Sequence, residues 1–184
     1  MRTSIFLFAC IISFTACNQK PGEQAVTNTN VSYKAPDDEA ITKAVADAYK
    51  VISFKKGEHA DFENIKNYFI PKTQFINFRT DTAEILSLDE FIGAYKSFIE
   101  ETHTESFYEK ELYGRTDQFG KIAQRISTYA TYLNTMDSTA ERGVNSFQLI
   151  KTPQGWRVTS IIWDVEKPSL QIPMEYLDGY STKP

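Results

Sequence analysis

From Thr104 onward the chain alternates apolar and polar residues in four long runs joined by short turns, and that pattern constrains the fold more than any other feature. Successive side chains of a strand point to opposite faces, so a period of two marks a strand with one face buried. The runs fall at about Glu105 to Asp117, Lys121 to Asn134, Val144 to Thr152 and Trp156 to Val165. Gln118-Phe119-Gly120 and Pro153-Gln154-Gly155 supply tight turns, and Asp137 to Gly143 a longer one. Connections this short join antiparallel neighbours, so the C-terminal half is expected to be a meander.

The sheet needs cover on one face, and the first hundred residues provide it as three expected helices. Asp37 or Asp38 can cap a helix in which Ile41, Ala44, Val45, Ala48 and Ile52 recur at helical spacing until Gly57. A shorter helix is expected from Asp61, with Phe62, Ile65 and Phe69 on one side and Pro71 at its end. Thr73 to Arg79, rich in β-branched and aromatic residues, reads as a strand. Ser87-Leu88-Asp89-Glu90 is a capping box, followed by Phe91, Ile92, Tyr95, Phe98 and Ile99 on one helical face. Helices followed by an antiparallel meander imply an α+β domain, with helices packed on one face of a curved sheet.

The domain is expected over residues 38–167, and residues 168–184, which contain Pro168, Pro173 and Pro184, form a tail over its surface. Ahead of it lies an address. Arg2 precedes the apolar stretch Ile5 to Phe14, too short for a helix that must cross about 30 Å of hydrocarbon, and this combination reads as an export signal over residues 1–16. Phe14-Thr15-Ala16-Cys17 resembles the lipobox of bacterial lipoproteins, with Phe14 where Leu is usual. The resemblance implies lipidation at Cys17 and anchoring to the cell envelope, on the periplasmic or outer-membrane side. Residues 17–37 are then the lipidated cysteine and a polar linker containing Pro21, Gly22 and Pro36, which reads as a flexible spacer.

Both cysteines, Cys10 and Cys17, lie in this leader, so the domain has no thiol for a disulfide framework, a Cys-ligated metal or a nucleophile. With 20 Lys+Arg against 24 Asp+Glu and a formal charge of −4, a basic footprint for nucleic acid is not expected.

The element order, with Phe119-Gly120-Lys121-Ile122-Ala123, Ser127-Thr128-Tyr129, Asn145-Ser146-Phe147-Gln148-Leu149-Ile150-Lys151 and Gly155-Trp156-Arg157-Val158, resembles the NTF2-like superfamily, in particular its SnoaL-like and DUF4440-like bacterial branches. The resemblance covers about residues 38–166. It implies a cone, in which a strongly bent sheet wraps a long helix and leaves a pocket at the open end. Members include ketosteroid isomerase, scytalone dehydratase, limonene epoxide hydrolase and polyketide cyclases, together with many noncatalytic binding and dimerisation modules, so the fold does not choose a function.

The sequence holds no phosphate-cradling glycine loop, no G-x-S-x-G and no H-E-x-x-H, and neither a cofactor nor a metal is expected. His59 and His103 sit in polar connections, where a histidine is usually just solvated. Glu109, Glu111 and Asp117 share one face of the first long strand if its alternation is unbroken, with Arg115 among them, and such a charged stripe reads as a solvated sheet face. In many relatives of the DUF4440-like branch an Asp or His stands just before the terminal Trp of the last strand; Ile161 and Ile162 stand there here, and no catalytic residue is assigned. Arg125, Tyr129, Gln148 and Trp163, with Asn145, are the candidate ligand-binding set, because aromatics with a few fixed polar groups suit a small organic or anionic ligand. Tyr129 and Trp163 could instead be core, with Arg125 paired to Glu109 or Glu111. Phe75, Phe78, Tyr49 and Tyr95 read as core or pocket wall. The expectation is an exported lipoprotein whose domain binds a small hydrophobic or amphipathic ligand, or a protein partner. An isomerase, dehydratase or hydrolase working by acid–base chemistry, and a homodimeric interaction module with no ligand, are the alternatives.

Overall fold

A computed structural model describes residues 33–177, so the signal segment, Cys17 and most of the linker lie outside the described residues, as do residues 178–184. The described part contains α1 (Asp38–Ile52), β1 (Phe69–Asn77), β2 (Glu84–Ser87), α2 (Leu88–Glu101), β3 (Phe107–Phe119), β4 (Ile122–Leu133), β5 (Glu141–Thr152) and β6 (Gly155–Val165). The strands form one six-stranded sheet in the order β2-β1-β6-β5-β4-β3. Strands β3 to β6 are the expected antiparallel meander, and β1 joins its far side parallel to β6.

Each helix lies against the same face of this sheet, as its apolar stripe requires. Helix α1 buries Ile41, Val45, Ala48 and Tyr49 against Phe147, Leu149 and Val158. Asp37 occupies the N-cap position but caps nothing. Its carboxylate instead accepts from Lys151 Nζ at 2.7 Å and Gln118 Nε2 at 3.1 Å, fastening the start of α1 to the ends of β3 and β5. Helix α2 begins with the capping box its sequence announces. The Ser87 hydroxyl accepts from the Glu90 N–H at 3.3 Å, and the Glu90 carboxylate accepts from the Ser87 N–H at 2.8 Å.

The helix expected from Asp61 is a single 3-10 turn, Ile65–Asn67, so the described residues hold two α-helices rather than three. Asp61 accepts from the Asn64 backbone N–H at 3.2 Å and its amide at 2.7 Å, closing a local turn that competes with helix propagation. Phe69 then opens β1. Pro71 does not end a helix; it sits inside β1, between Phe69 and Gln74, where the ladder to β6 is interrupted and its missing N–H removes no strand bond. The four-residue edge strand β2 had no counterpart in the periodicity.

Strand β3 also departs from the expected alternation. Glu111 pairs with Tyr129, but the next pair is Tyr113 with Thr128, leaving Leu112 as an extra residue. This bulge exchanges the two faces. Phe107, Glu109 and Glu111 point inward before it, opposite Leu133, Thr131 and Tyr129, whereas Gly114, Thr116 and Gln118 point inward after it. Asp117 therefore stands outside beside Arg115, 3.8 Å away, and the solvated stripe expected to unite it with Glu109 and Glu111 does not exist. The start of the tail does lie on the domain: the Tyr176 carbonyl, in the 3-10 turn Met174–Tyr176, accepts from the Thr128 hydroxyl on the outer sheet face at 2.5 Å.

Candidate functional site

Between the sheet, the C-terminal half of α1 and one side of α2 lies a cavity of about 420 Å³. Its wall is largely aromatic. Tyr49 comes from α1, Phe91, Tyr95 and Phe98 from α2, Phe69 and Phe75 from β1, Phe107 from β3, Phe147 from β5 and Trp163 from β6. The α2 rings recur at three- and four-residue steps, which places them on one helical face. Phe91 stacks on Phe75 at 4.1 Å between centroids, and Tyr95 meets Phe107 edge-on at 5.2 Å. A pocket of this size lined by rings with a few polar groups is the usual form of a small-molecule site.

The polar groups are contributed by β3, β4, β5 and the segment after β1. Glu109 on β3 is half-buried and projects into the cavity, where the Thr131 hydroxyl donates to its Oε2 at 2.7 Å. Burial pushes this carboxyl up to about 7; the Thr131 hydrogen bond opposes the rise, the negative Glu141 adds to it and Arg79 works against it. Tyr129 on β4 donates to Glu141 Oε1 at 2.8 Å, and the Arg79 guanidinium clamps the same carboxylate with both terminal nitrogens. Asn145 on β5 donates to the Tyr49 hydroxyl at 2.8 Å, which also shares a 2.7 Å hydrogen bond with Ser127. Asn77 donates to Glu84 at 2.6 Å. Burial raises the phenols of Tyr49, Tyr95 and Tyr129 above the ordinary 10, and in each the negative charge of Glu109 is the next cause. Glu109 therefore lies electrically at the centre of the cavity's polar end.

Of the residues selected from sequence, Tyr129 and Trp163 line this cavity, as do Asn145, Tyr49, Phe75 and Tyr95. Arg125 and Gln148 do not. Arg125 faces inward nearer the start of α1, only 6% exposed, and is spent on a fork to Glu111, with Nε to Oε2 at 2.9 Å and an NH2 to Oε1 at 2.6 Å. It also reaches Thr116 at 2.6 Å and Asp38 at 3.6 Å. Gly114 makes room for this guanidinium, since a Cβ there would overlap it. Gln148 is on the opposite sheet face, its neighbours across the ladder being Gln124 and Ser160. Phe78 is exposed, and His59 and His103 are exposed away from the cavity. Ile161 lines the cavity wall, and its neighbour Ile162 is exposed. Sequence reasoning missed Glu109, Glu141 and Arg79. Among the described residues no three His, Cys, Asp or Glu side chains converge as a metal site requires.

No protein-family model matches the sequence, and no curated protein matches it. Solved structures do. A protein of unknown function with a cystatin-like fold from Nostoc punctiforme superposes with a TM-score of 0.57 at 15% identity, over 74% of this chain and 96% of that one. An NTF2-like protein from Novosphingobium aromaticivorans gives 0.54 at 11% identity, over 73% and 86%. The fold is NTF2-like. A provisionally named scytalone dehydratase from N. aromaticivorans superposes on this NTF2-like domain at 0.55 and 10% identity, over 71% of this chain and 85% of that one. At these identities the likeness is one of fold, and function has to be argued from the cavity.

Proposed function

We propose that the NTF2-like domain binds a small, mostly apolar organic molecule in the aromatic cavity and holds its polar end against Glu109. The observation that carries this is the cavity itself: about 420 Å³ of space walled by rings, with a carboxylate that has a single hydrogen-bond donor among the described residues. A pure interaction module would instead fill its cone with side chains. Native mass spectrometry of the purified chain should show a co-purifying small molecule, absent in Ala140→Trp, where an exposed residue of the cavity rim becomes bulky enough to occlude it. Co-purification with nothing, together with a Tm unmoved by a panel of apolar fragments, refutes ligand binding.

Acid–base catalysis in the same cavity is the second reading, and Glu109 favours it. A carboxyl titrating near 7 can give or take a proton at neutral pH, which is what isomerases, dehydratases and hydrolases of small apolar substrates need. If the domain is catalytic, its rate follows an ionisation near pH 7, and Glu109→Gln abolishes that dependence.

Export and lipid anchoring through Cys17 rest on the leader sequence, and with them the placement of the domain at the cell envelope. A multiply acylated cysteine holds firmly where one chain holds marginally, so Cys17→Ser should move the protein from membrane to soluble fractions. Unchanged membrane association rules the anchor out.

A further inference from the structure

The charges around the cavity do not balance, and the imbalance specifies a ligand. Its wall contains three carboxylates, Glu84, Glu109 and Glu141, and one guanidinium, Arg79. Arg79 is committed to Glu141, and Glu84 accepts from Asn77. Glu109 is left facing an aromatic chamber with Thr131 as its donor. An ionised carboxylate can accept about four hydrogen bonds, yet among the described residues no donor reaches Glu109 Oε1.

The nearby phenols do not compensate. The Tyr95 hydroxyl donates to the Ile52 carbonyl at 2.6 Å, Tyr129 donates to Glu141, and Tyr49 is shared between Asn145 and Ser127. Each hydroxyl is therefore turned to a partner other than Glu109. An anionic ligand would add negative charge to this end, where among the described residues the cavity's one cation, Arg79, is already committed to Glu141. A neutral alcohol would supply one donor and no charge.

We infer that the cavity's ligand is an organic ammonium, a protonated amine on an aromatic or aliphatic body, with its N–H groups on Glu109 and its body against the ring wall. Buried ring faces attract cations as well as apolar surface, so the same wall serves both parts of the molecule. The inference rests on the reading that the cavity is a ligand site, and goes beyond it in naming the charge of what enters.

Because the contact requires ionised Glu109, affinity should depend on pH. The ionisable groups around Glu109 are Tyr49 on α1, Tyr95 on α2, Tyr129 on β4, Glu141 on β5 and Arg79 after β1. The phenols are pushed above the ordinary 10, and the carboxyl near 7 titrates in the working range.

Isothermal titration of the purified full chain with phenylbutylamine, phenylbutanol and phenylbutyrate, three probes differing only in the head group, tests this. At pH 8 the amine should bind at least about tenfold tighter than the alcohol, and the carboxylate weakest. Lowering the pH to 5.5 should weaken the amine by roughly thirtyfold and leave the alcohol nearly unchanged, as expected of a group titrating near 7. Glu109→Gln should remove the amine's advantage over the alcohol. If amine and alcohol bind equally, or the carboxylate binds best, the ammonium assignment is overturned and the cavity remains a ligand site. If none of the three binds, the assignment is overturned, and the fragment panel and native mass spectrometry decide whether the ligand site falls with it.

Discussion

Replacing Glu109 by Gln should stabilise the protein at alkaline pH and leave it unchanged at acid pH. The folded domain raises this carboxyl from the ordinary 4.5 to about 7, chiefly by burial. A raised acid binds more protons folded than unfolded between those two values, so it costs stability as pH rises through that window. Below about 4.5 the group is neutral in both states and the cost is absent. Above 7 it is charged in both, and the cost is complete. At 1.36 kcal/mol per pKa unit the upper bound is about 3 kcal/mol; water entering the cavity screens part of it, leaving about 2 kcal/mol. Gln keeps the shape and can still accept from Thr131, but carries no charge. Urea unfolding of both proteins from pH 5 to 8.5 reads the effect as the difference between them, which cancels every other titrating group. The variant should gain about 2 kcal/mol on wild type between pH 5 and 8. A difference flat to within about 0.5 kcal/mol, or a wild type favoured at pH 8, would show that Glu109 is not desolvated and would remove the basis of its proposed role.

Two further substitutions probe the scaffold. Arg125→Ala should destabilise by about 3 kcal/mol, because Glu111 would keep its half-buried charge without the guanidinium that pairs it, and urea midpoints measure the loss. Gly143→Ala should cost about 2 kcal/mol and loosen Tyr129. A Cβ there would lie 2.5 Å from the Asp164 carbonyl and 2.7 Å from the Tyr129 ring and hydroxyl, so calorimetry should show a lower Tm and NMR a shifted Tyr129 ring.

The meander was legible because apolar and polar residues alternate over most of its length and its turns carry glycine at the required places: Gly120 and Gly155 both adopt positive φ, at 56° and 103°. Helix α2 was legible because a capping box is a local signal. The Asp61 turn misled because Phe62, Ile65 and Phe69 match helical spacing whether or not a helix propagates, and a side-chain bond from Asp61 decides the outcome. The site was harder. Glu109 and Asp117 share a face under strict alternation, and one extra residue at Leu112 separates them. The adjacent apolar pair Leu112-Tyr113 does not by itself announce that slip, because Phe107-Tyr108 in the same strand keeps a regular register. Arg125 was selected as a ligand-binding group; it faces inward but outside the cavity, on Glu111. Its pairing with Glu109 or Glu111 was anticipated as the alternative; what the sequence could not supply was the register that selects Glu111 and leaves Glu109 as the carboxylate without a cation of its own.

The parallel pairing of β1 with β6 sets an order of assembly. Residues 74–77 pair locally with β2 at 84–87 but meet their second strand partner only at 160–163, whereas β3 to β6 join near neighbours through short turns. Local hairpins close sooner than contacts between distant segments, so the meander can form while β1 and α2 still lack their place. During synthesis, Phe69 and Phe75 therefore lack their cover from β6 until that strand has emerged. The aromatic wall of the cavity is thus completed last, and a chain cut short before Ser160 would retain much of its sheet but have no chamber to fill.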